Sequence, residues 1–173
     1  MTLHSNTCVA LTLAGVLSIS LLASAYADGG RMLPRQVLPA YRQECGSCHV
    51  AYPAGLLPAS SWRRIMSGLS QHYGSDAALD AQTTQQIGAW LQAHAGSRAG
   101  YGQAPAQDRI TRSTWFERKH RKIDPAVWRH TSVKSAANCT ACHADAALGG
   151  FDDDRLRIPP GLDKRYLRAF QDD

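Results

Sequence analysis

Two short segments of the chain repeat the pattern Cys-x-x-Cys-His. Their chemically active side chains are those of Cys45, Cys48, His49, Cys139, Cys142 and His143. In this pattern the two thiols add across the vinyl groups of a porphyrin, and the adjacent histidine becomes an axial ligand of the iron. The two copies use four of the five cysteines in the chain, so chance is a poor explanation for them. The sequence therefore predicts two covalently bound haem c groups, with His49 and His143 as their proximal ligands.

Other uses of paired cysteines fit this sequence less well. Four-thiolate zinc sites usually place their pairs roughly 15–20 residues apart, whereas about 90 residues separate the two pairs here. A thioredoxin-like redox motif needs a βαβ context, which the sequence does not show. Two structural disulfides are chemically possible. Neither they nor zinc would explain the histidine that directly follows each pair.

The sixth ligand of each iron separates an electron carrier from an enzyme. A carrier fills that position with His or Met, whereas an enzyme or a gas binder leaves it open or loosely filled. Met66 lies on the apolar face of a predicted helix, and Met32 lies close to the expected N-terminus of the exported chain. Neither methionine is therefore a good ligand. For the first haem we prefer His72, in a loop after that helix, with His94 at the end of the next helix as its rival.

Two histidines precede the second motif and compete for the second iron. His120 follows Trp115 and Phe116 at spacings of five and four residues, so one face of a short helix would present aromatic rings and an imidazole together. His130 follows Trp128 in a less regular segment. We prefer His120 as the distal ligand and keep His130 as the alternative.

The N-terminal residues predict export from the cytoplasm. Residues 9–22 are almost wholly apolar, and Ala25-Tyr26-Ala27 has the small-x-small form that precedes a signal-peptide cleavage site. The apolar run is too short to span a bilayer, so we expect cleavage after Ala27 and no stable membrane insertion of the mature protein. We therefore expect a periplasmic protein, in the compartment where bacteria attach haem c.

Helical signals dominate the rest of the chain, and no segment alternates convincingly enough to predict a strand. One helix is predicted with a serine of residues 60–61 as its N-cap, and another is predicted to begin near Asp80. Later, Thr114 and Glu117 have the spacing of a capping box, and the Asp-Pro pair at residues 124–125 is typical of a helix start. The sequence predicts a mainly α protein with long loops.

The expected organisation is two haem lobes in one exported chain. We predict a signal peptide at residues 1–27, a first haem lobe at 28–96, a linker at 97–107, and a second haem lobe with a C-terminal tail at 108–173. The linker is predicted from its richness in Gly, Ala and Pro and its lack of apolar periodicity.

Beyond the motifs, the sequence resembles the small dihaem cytochrome c family of bacterial periplasms. The resemblance rests on residues 45–49, 51–58, 61–62, 68–69, 72–74, 109–111, 115–116, 120–122, 128, 138–143 and 157–159. It implies two low-spin haems, each with two histidine ligands, in two small helical lobes. The first lobe would be similar to a minimal class I cytochrome c. The family pattern also places histidines at His72 and His120, which mainly helps the choice of His120 over His130.

Three functions are compatible with these features. The leading one is a periplasmic carrier of single electrons, and the resemblance implies another cytochrome as its partner, either monohaem c-type or membrane b-type. The second is a small dihaem enzyme or gas-binding protein with a displaceable sixth ligand. The third is a non-catalytic subunit that passes electrons within a larger complex, a role suggested by the basic residues 118–122. A formal net charge of +5 suits an acidic protein partner, but without a nucleic-acid-binding motif it gives no argument for nucleic acid.

Overall fold

The structure is a computed structural model and describes residues 33–34, 36–97 and 101–170. The predicted signal peptide and Met32 lie outside these residues. Five α-helices are described, and they are α1 (Pro39–Cys45), α2 (Ala59–Ser67), α3 (Ala81–Ala93), α4 (Thr114–Lys119) and α5 (Pro125–Arg129). Short 3-10 helices connect them, and the described ranges contain isolated bridges but no named strand. The prediction of a mainly α protein is confirmed.

Two helices begin where the sequence predicts. The carboxylate of Asp80 accepts the backbone N–H of Thr83 at 2.9 Å, which caps α3. The carboxylate of Asp124 accepts the N–H of Ala126 at 2.7 Å, and Pro125 occupies the first position of α5. None of the helices within the described ranges is long and apolar enough to cross a membrane.

Two other helix starts differ from the prediction. Helix α2 has Pro58 as its N-cap, and residues 60–61 lie inside its first turn, so the predicted serine cap is wrong. The fixed φ of Pro58 suits the residue just before a helix. Helix α2 therefore begins two residues earlier than a cap at residue 60 would place it. In α4 the N-cap is Ser113, whose hydroxyl accepts the N–H of Phe116 at 3.2 Å. The predicted capping box at Thr114 is therefore displaced by one residue, since either hydroxyl residue suits this position.

The main hydrophobic core lies between α2 and α3. Its buried members are Tyr41, Ala54, Leu57, Trp62, Met66, Ile87 and Leu91. The indole N–H of Trp62 donates to the carbonyl of Ala54 at 2.7 Å, which ties α2 to the loop after the first motif. Met66 packs opposite Gly88 of α3, where a Cβ would meet its side chain at 3.7 Å. Met66 is thus part of the core, 8% exposed.

The second half of the chain has two small clusters in place of one large core. One contains Leu56, Trp115 and Phe116, and the other contains Val127, Val133 and Ala141. Because Leu56 comes from the loop after the first motif, the first of these clusters is shared between the two halves. Few apolar side chains are buried here, so a bound cofactor is expected to complete the packing.

Residues 107–109 are held against the first half of the chain. The Tyr73 hydroxyl lies 3.1 Å from the carbonyl oxygens of both Gln107 and Asp108. The guanidinium of Arg64 donates to both carboxylate oxygens of Asp108, at 2.8 and 2.6 Å, and that of Arg109 lies over the Tyr73 ring. The end of the predicted linker is thus anchored, while the division into lobes at 28–96 and 108–173 stays a prediction.

Tyr52 connects the segments that carry the two motifs. Its hydroxyl donates to the carbonyl of Ala137, 85 residues away, at 2.7 Å, and its own carbonyl accepts the hydroxyl of Tyr41. Ala137 lies two residues before Cys139, the first cysteine of the second motif. Burial raises the pKa of Tyr52, so its hydroxyl stays protonated and donates throughout the neutral range.

We expect Tyr52→Phe to lower the free energy of unfolding by about 1 kcal/mol, the usual net value of one hydrogen bond. The ring is retained, so only the bond to Ala137 is lost. Chemical denaturation of the haem-loaded protein measures the change. Tyr166→Phe is the matched control, because the structure shows no hydrogen bond to that hydroxyl within the described ranges. Equal stability of the two variants would show that the Tyr52 bond contributes nothing.

Candidate haem centres

His49 and His72 form a pair of facing imidazoles beside the first motif. Their ring centroids lie 6.2 Å apart, and their planes are inclined by 21°. Helix α2 ends at Ser67 with Gly68 as its C-cap, and the 3-10 helix Leu69–Gln71 then leads directly to His72. The chain reverses immediately afterwards, where Gly74 has a φ of +98°, a conformation that glycine adopts without strain.

The ring of His49 is oriented by two neighbours. Its Nδ1 lies 2.8 Å from the carbonyl oxygen of Val50, so Nδ1 carries the proton and donates it. The tautomer leaves Nε2 with a free lone pair, as a metal ligand requires. Tyr52 stacks on the same ring, with centroids 4.7 Å apart and planes inclined by 24°.

His120 and His143 form the corresponding pair beside the second motif. Their centroids are also 6.2 Å apart, but their planes are inclined by 82°. His120 ends α4, its Nδ1–H donates to the carbonyl of Phe116 at 2.9 Å, and the Phe116 ring stacks on it at 4.0 Å. This arrangement again leaves Nε2 available. The aromatic side chain and the imidazole share one helix face, as their spacing predicts.

His143 is held differently from His49, the other predicted proximal ligand. Its ring lies 5.4 Å from that of Phe151, with planes inclined by 58°. Its Nδ1 is buried and has no hydrogen-bond partner among the described residues. Packing, and not a hydrogen bond, therefore fixes the orientation of this ring.

Burial favours the ligating form of three of these histidines. Burial lowers the pKa of His72, His120 and His143, and the charge of Arg109 lowers the pKa of His72 further. A lowered pKa keeps the imidazole neutral at pH 7, and only the neutral ring offers a lone pair to a metal.

Both imidazole pairs have the separation that one shared iron requires. An imidazole nitrogen lies about 2.0–2.1 Å from a bound metal ion, so two rings on opposite sides of one iron would have centroids about 6 Å apart. The observed 6.2 Å at both sites matches this value. The residues present therefore fit a haem iron with two histidine ligands at each motif.

The four motif cysteines lie beside these pairs, and none forms a disulfide in the structure. Cys45 ends α1 and packs against the main core, and Cys139 begins the 3-10 helix Cys139–Ala141. Burial raises the pKa of both thiols to about 11. A thiol with so high a pKa is protonated at neutral pH, which is unlike the reactive cysteine of an enzyme.

The rival histidines lie in other surroundings. The Nδ1–H of His94 donates to the carbonyl of Trp90 at 2.8 Å, and its exposed ring stacks on the indole of Trp90. The Nδ1 of His130 lies 2.7 Å from the hydroxyl of Ser132. The structure records no ring contact of either residue with a proximal histidine in its described ranges. The choices of His72 and His120 stay predictions that this arrangement favours.

The sequence motifs do not reveal the aromatic residues that orient the rings of His49 and His143. These are Tyr52 at the first site and Phe151 at the second. Each is an aromatic residue that follows its motif within ten positions, a signal that could have suggested a packing partner. Sequence alone could not show which ring each would touch.

Comparison with known proteins agrees with this geometry. The family model for dihaem cytochrome c matches residues 41–151, a range that includes both motifs and both imidazole pairs. The solved structure of a dihaem cytochrome c from Shewanella baltica is 40% identical, with 70% of this chain and 93% of that one covered and a TM-score of 0.63. A dihaem cytochrome c from Rhodobacter sphaeroides is also 40% identical, with 66% and 97% covered and a TM-score of 0.59. No curated protein matches the chain.

Proposed function

This chain belongs to the dihaem cytochrome c family, and on that premise we propose that it carries single electrons between redox proteins in the periplasm. Its cofactors are two covalently attached haem c groups. Haem iron supplies one-electron chemistry by alternating between its ferric and ferrous states. Cys45, Cys48, Cys139 and Cys142 hold the porphyrins, and the histidines hold the irons.

The observation that supports this function is the matching pair of imidazoles at each motif. We propose His49 and His143 as proximal ligands and His72 and His120 as distal ligands. Centroid separations of 6.2 Å at both sites leave room for an iron between the rings, with a nitrogen ligand on each side. A closed coordination sphere suits electron transfer, because an enzyme or gas binder needs a free position.

Two histidine ligands also set the range of potential in which the protein works. A methionine ligand raises the potential of a c-type haem, and Met66 is packed in the core between α2 and α3. We therefore expect both midpoint potentials to lie below those of cytochromes with one His and one Met ligand. Such a carrier would serve a low-potential part of an electron-transfer chain.

The partner is proposed to be another redox protein, either a monohaem c-type cytochrome or a membrane b-type cytochrome. The family resemblance implies this choice, and the run of basic side chains at residues 118–122 favours an acidic docking surface. The basic residues 118–122 begin in the last turn of α4 and include His120, so a partner that docks there would approach the second haem. Within this segment Lys119 forms an ion pair with Asp153 at 3.5 Å.

We expect the reduced protein to bind no carbon monoxide at either haem. Two histidines occupy both axial positions, and only a vacated position offers carbon monoxide a place on the iron. The visible spectrum of the reduced protein, recorded before and after addition of carbon monoxide, measures this directly. Unchanged spectra would support the proposal that the protein is an electron carrier. Rapid binding at either haem would contradict it and would favour an enzyme or a gas-binding protein.

A further inference from the structure

The two centres differ in how their ligand rings are oriented, and from this difference we infer that the two haems are reduced in a fixed order. We propose that the haem at the second motif has the higher potential and accepts the first electron. The proposal rests on the bis-histidine ligation proposed above. It concerns the order in which the electrons enter, which that ligation alone leaves open.

The angle between the imidazole planes differs between the two sites. The planes of His49 and His72 are inclined by only 21°, whereas those of His120 and His143 are inclined by 82°. Nearly parallel rings donate π electrons to the same iron d orbital and raise it well above its partner. The ferric state places its single hole in that raised orbital, so parallel rings stabilise the ferric form. Nearly perpendicular rings act on both orbitals alike and give less ferric stabilisation, which raises the potential.

The hydrogen bonds of the ligand rings also affect the two potentials. One ligand of each pair donates its Nδ1–H to a backbone carbonyl, His49 to Val50 at 2.8 Å and His120 to Phe116 at 2.9 Å. Each of these two bonds makes its imidazole a stronger electron donor to the iron, and the two effects are similar. Neither of the remaining ligands, His72 or His143, has an Nδ1 hydrogen bond to protein in the described ranges, but only the Nδ1 of His143 is also buried away from water. Without that polarisation His143 is a weaker electron donor, which again favours the ferrous state at the second site.

The ligand rings of the two sites are also buried to different degrees. At the first site His49 is exposed and His72 is half-buried, whereas both ligands of the second site are half-buried. A ferric haem carries one more positive charge than a ferrous haem, and a less polar environment disfavours the extra charge. The more enclosed second site is therefore easier to reduce.

Neighbouring charges act in the opposite direction, and the charge at the second site is screened. Arg109 lies close enough to His72 to lower its pKa, and Asp153 lies near both His120 and His143. A cation at the first site and an anion at the second would narrow the difference in potential. However, the Asp153 side chain is 58% exposed and is paired with Lys119, so water and salt screen its charge. We expect the second haem still to be reduced first. The difference between the two midpoint potentials should be larger at higher ionic strength.

The same ring angles give each haem its own spectroscopic signature. Nearly parallel ligand planes give a low-spin ferric haem a rhombic three-line EPR spectrum, whereas nearly perpendicular planes give one broad feature at low field. The full protein should therefore show both signals in equal amounts. Each signal reports on one centre, so no mutation is needed to tell the two haems apart.

The test is an EPR-monitored redox titration of the haem-loaded protein, with dithionite as the electron donor. Each electron converts one ferric iron to ferrous, and no bond forms or breaks. We expect the broad low-field signal to disappear at higher potential, while most of the rhombic signal remains. Loss of the rhombic signal first, or two signals of one type, would overturn the proposal. A high-spin signal would instead overturn the proposed ligation, so the two failures are distinguishable.

Phe151 is the positioning residue that this inference identifies. Since His143 has no hydrogen bond to hold its plane, the Phe151 ring is expected to limit its rotation. Phe151→Leu should shift the broad low-field signal and leave the rhombic signal unchanged. Phe170→Leu, a matched change of another half-buried phenylalanine of the second half, should shift neither. Identical spectra for both variants and the native protein would show that Phe151 does not position His143.

Discussion

Replacing His120 with alanine is expected to open the second haem, so that the reduced protein binds carbon monoxide at one of its two irons. The substitution removes the ring that faces His143 across 6.2 Å, and alanine supplies no ligand in its place. The oxidised variant should show a high-spin EPR signal in place of its broad low-field feature. Its haem content should not change, because the thioether bonds through Cys139 and Cys142 are untouched.

The matched control for this substitution is His130→Ala. His130 is bonded to the Ser132 hydroxyl, so its loss should leave both irons closed to carbon monoxide. The same comparison applies at the first site, where His72→Ala should open the haem and His94→Ala should not. A control variant that binds carbon monoxide, while its partner does not, would reverse the ligand assignment at that site.

Replacing Cys139 and Cys142 together with serine is expected to unfold most of the second half of the chain. The α-helices there have six and five residues, well below the length of about 12 residues at which an isolated helix becomes even marginally stable. This half contributes only two buried residues to one cluster and three to the other. Without a covalently attached haem, this half has too little core to balance the entropy of ordering its loops.

Mass spectrometry and limited proteolysis measure this result. We expect a chain with one haem, in which cleavage sites concentrate after residue 120 while α2 and α3 stay protected. The counterpart is the replacement of Cys45 and Cys48 together with serine. This variant should keep more helical structure than the Cys139 and Cys142 variant, because α2 and α3 bury a core of their own. A second half that resists proteolysis without its haem would contradict this view of how it is stabilised.

The parts of the site that the sequence could predict are those fixed over short distances. The Cys-x-x-Cys-His motifs place thiols and imidazole within five residues, so their chemistry is visible in one segment. The placement of Phe116 against His120 follows from a spacing of four residues in one helix. Helix caps are local as well, yet Ser113 and Thr114 are adjacent and nearly equivalent as caps, so the start of α4 could be placed only to within one residue.

Features that depend on tertiary packing could not be predicted in this way. The pairing of His72 with His49 requires the turn after Gly68 and the left-handed conformation of Gly74. The bond from Tyr52 to Ala137 joins residues 85 positions apart. Ring angles at the two sites result from packing and backbone contacts, and no spacing in the sequence encodes an angle of 21° or 82°.

Near-infrared magnetic circular dichroism of the oxidised protein reports the ligand pair of each low-spin haem. We expect both irons to give the charge-transfer band of two histidine ligands, with no contribution from methionine and none from a high-spin haem. A band typical of one histidine and one methionine, at either iron, would contradict bis-histidine ligation by His49 with His72 and by His143 with His120.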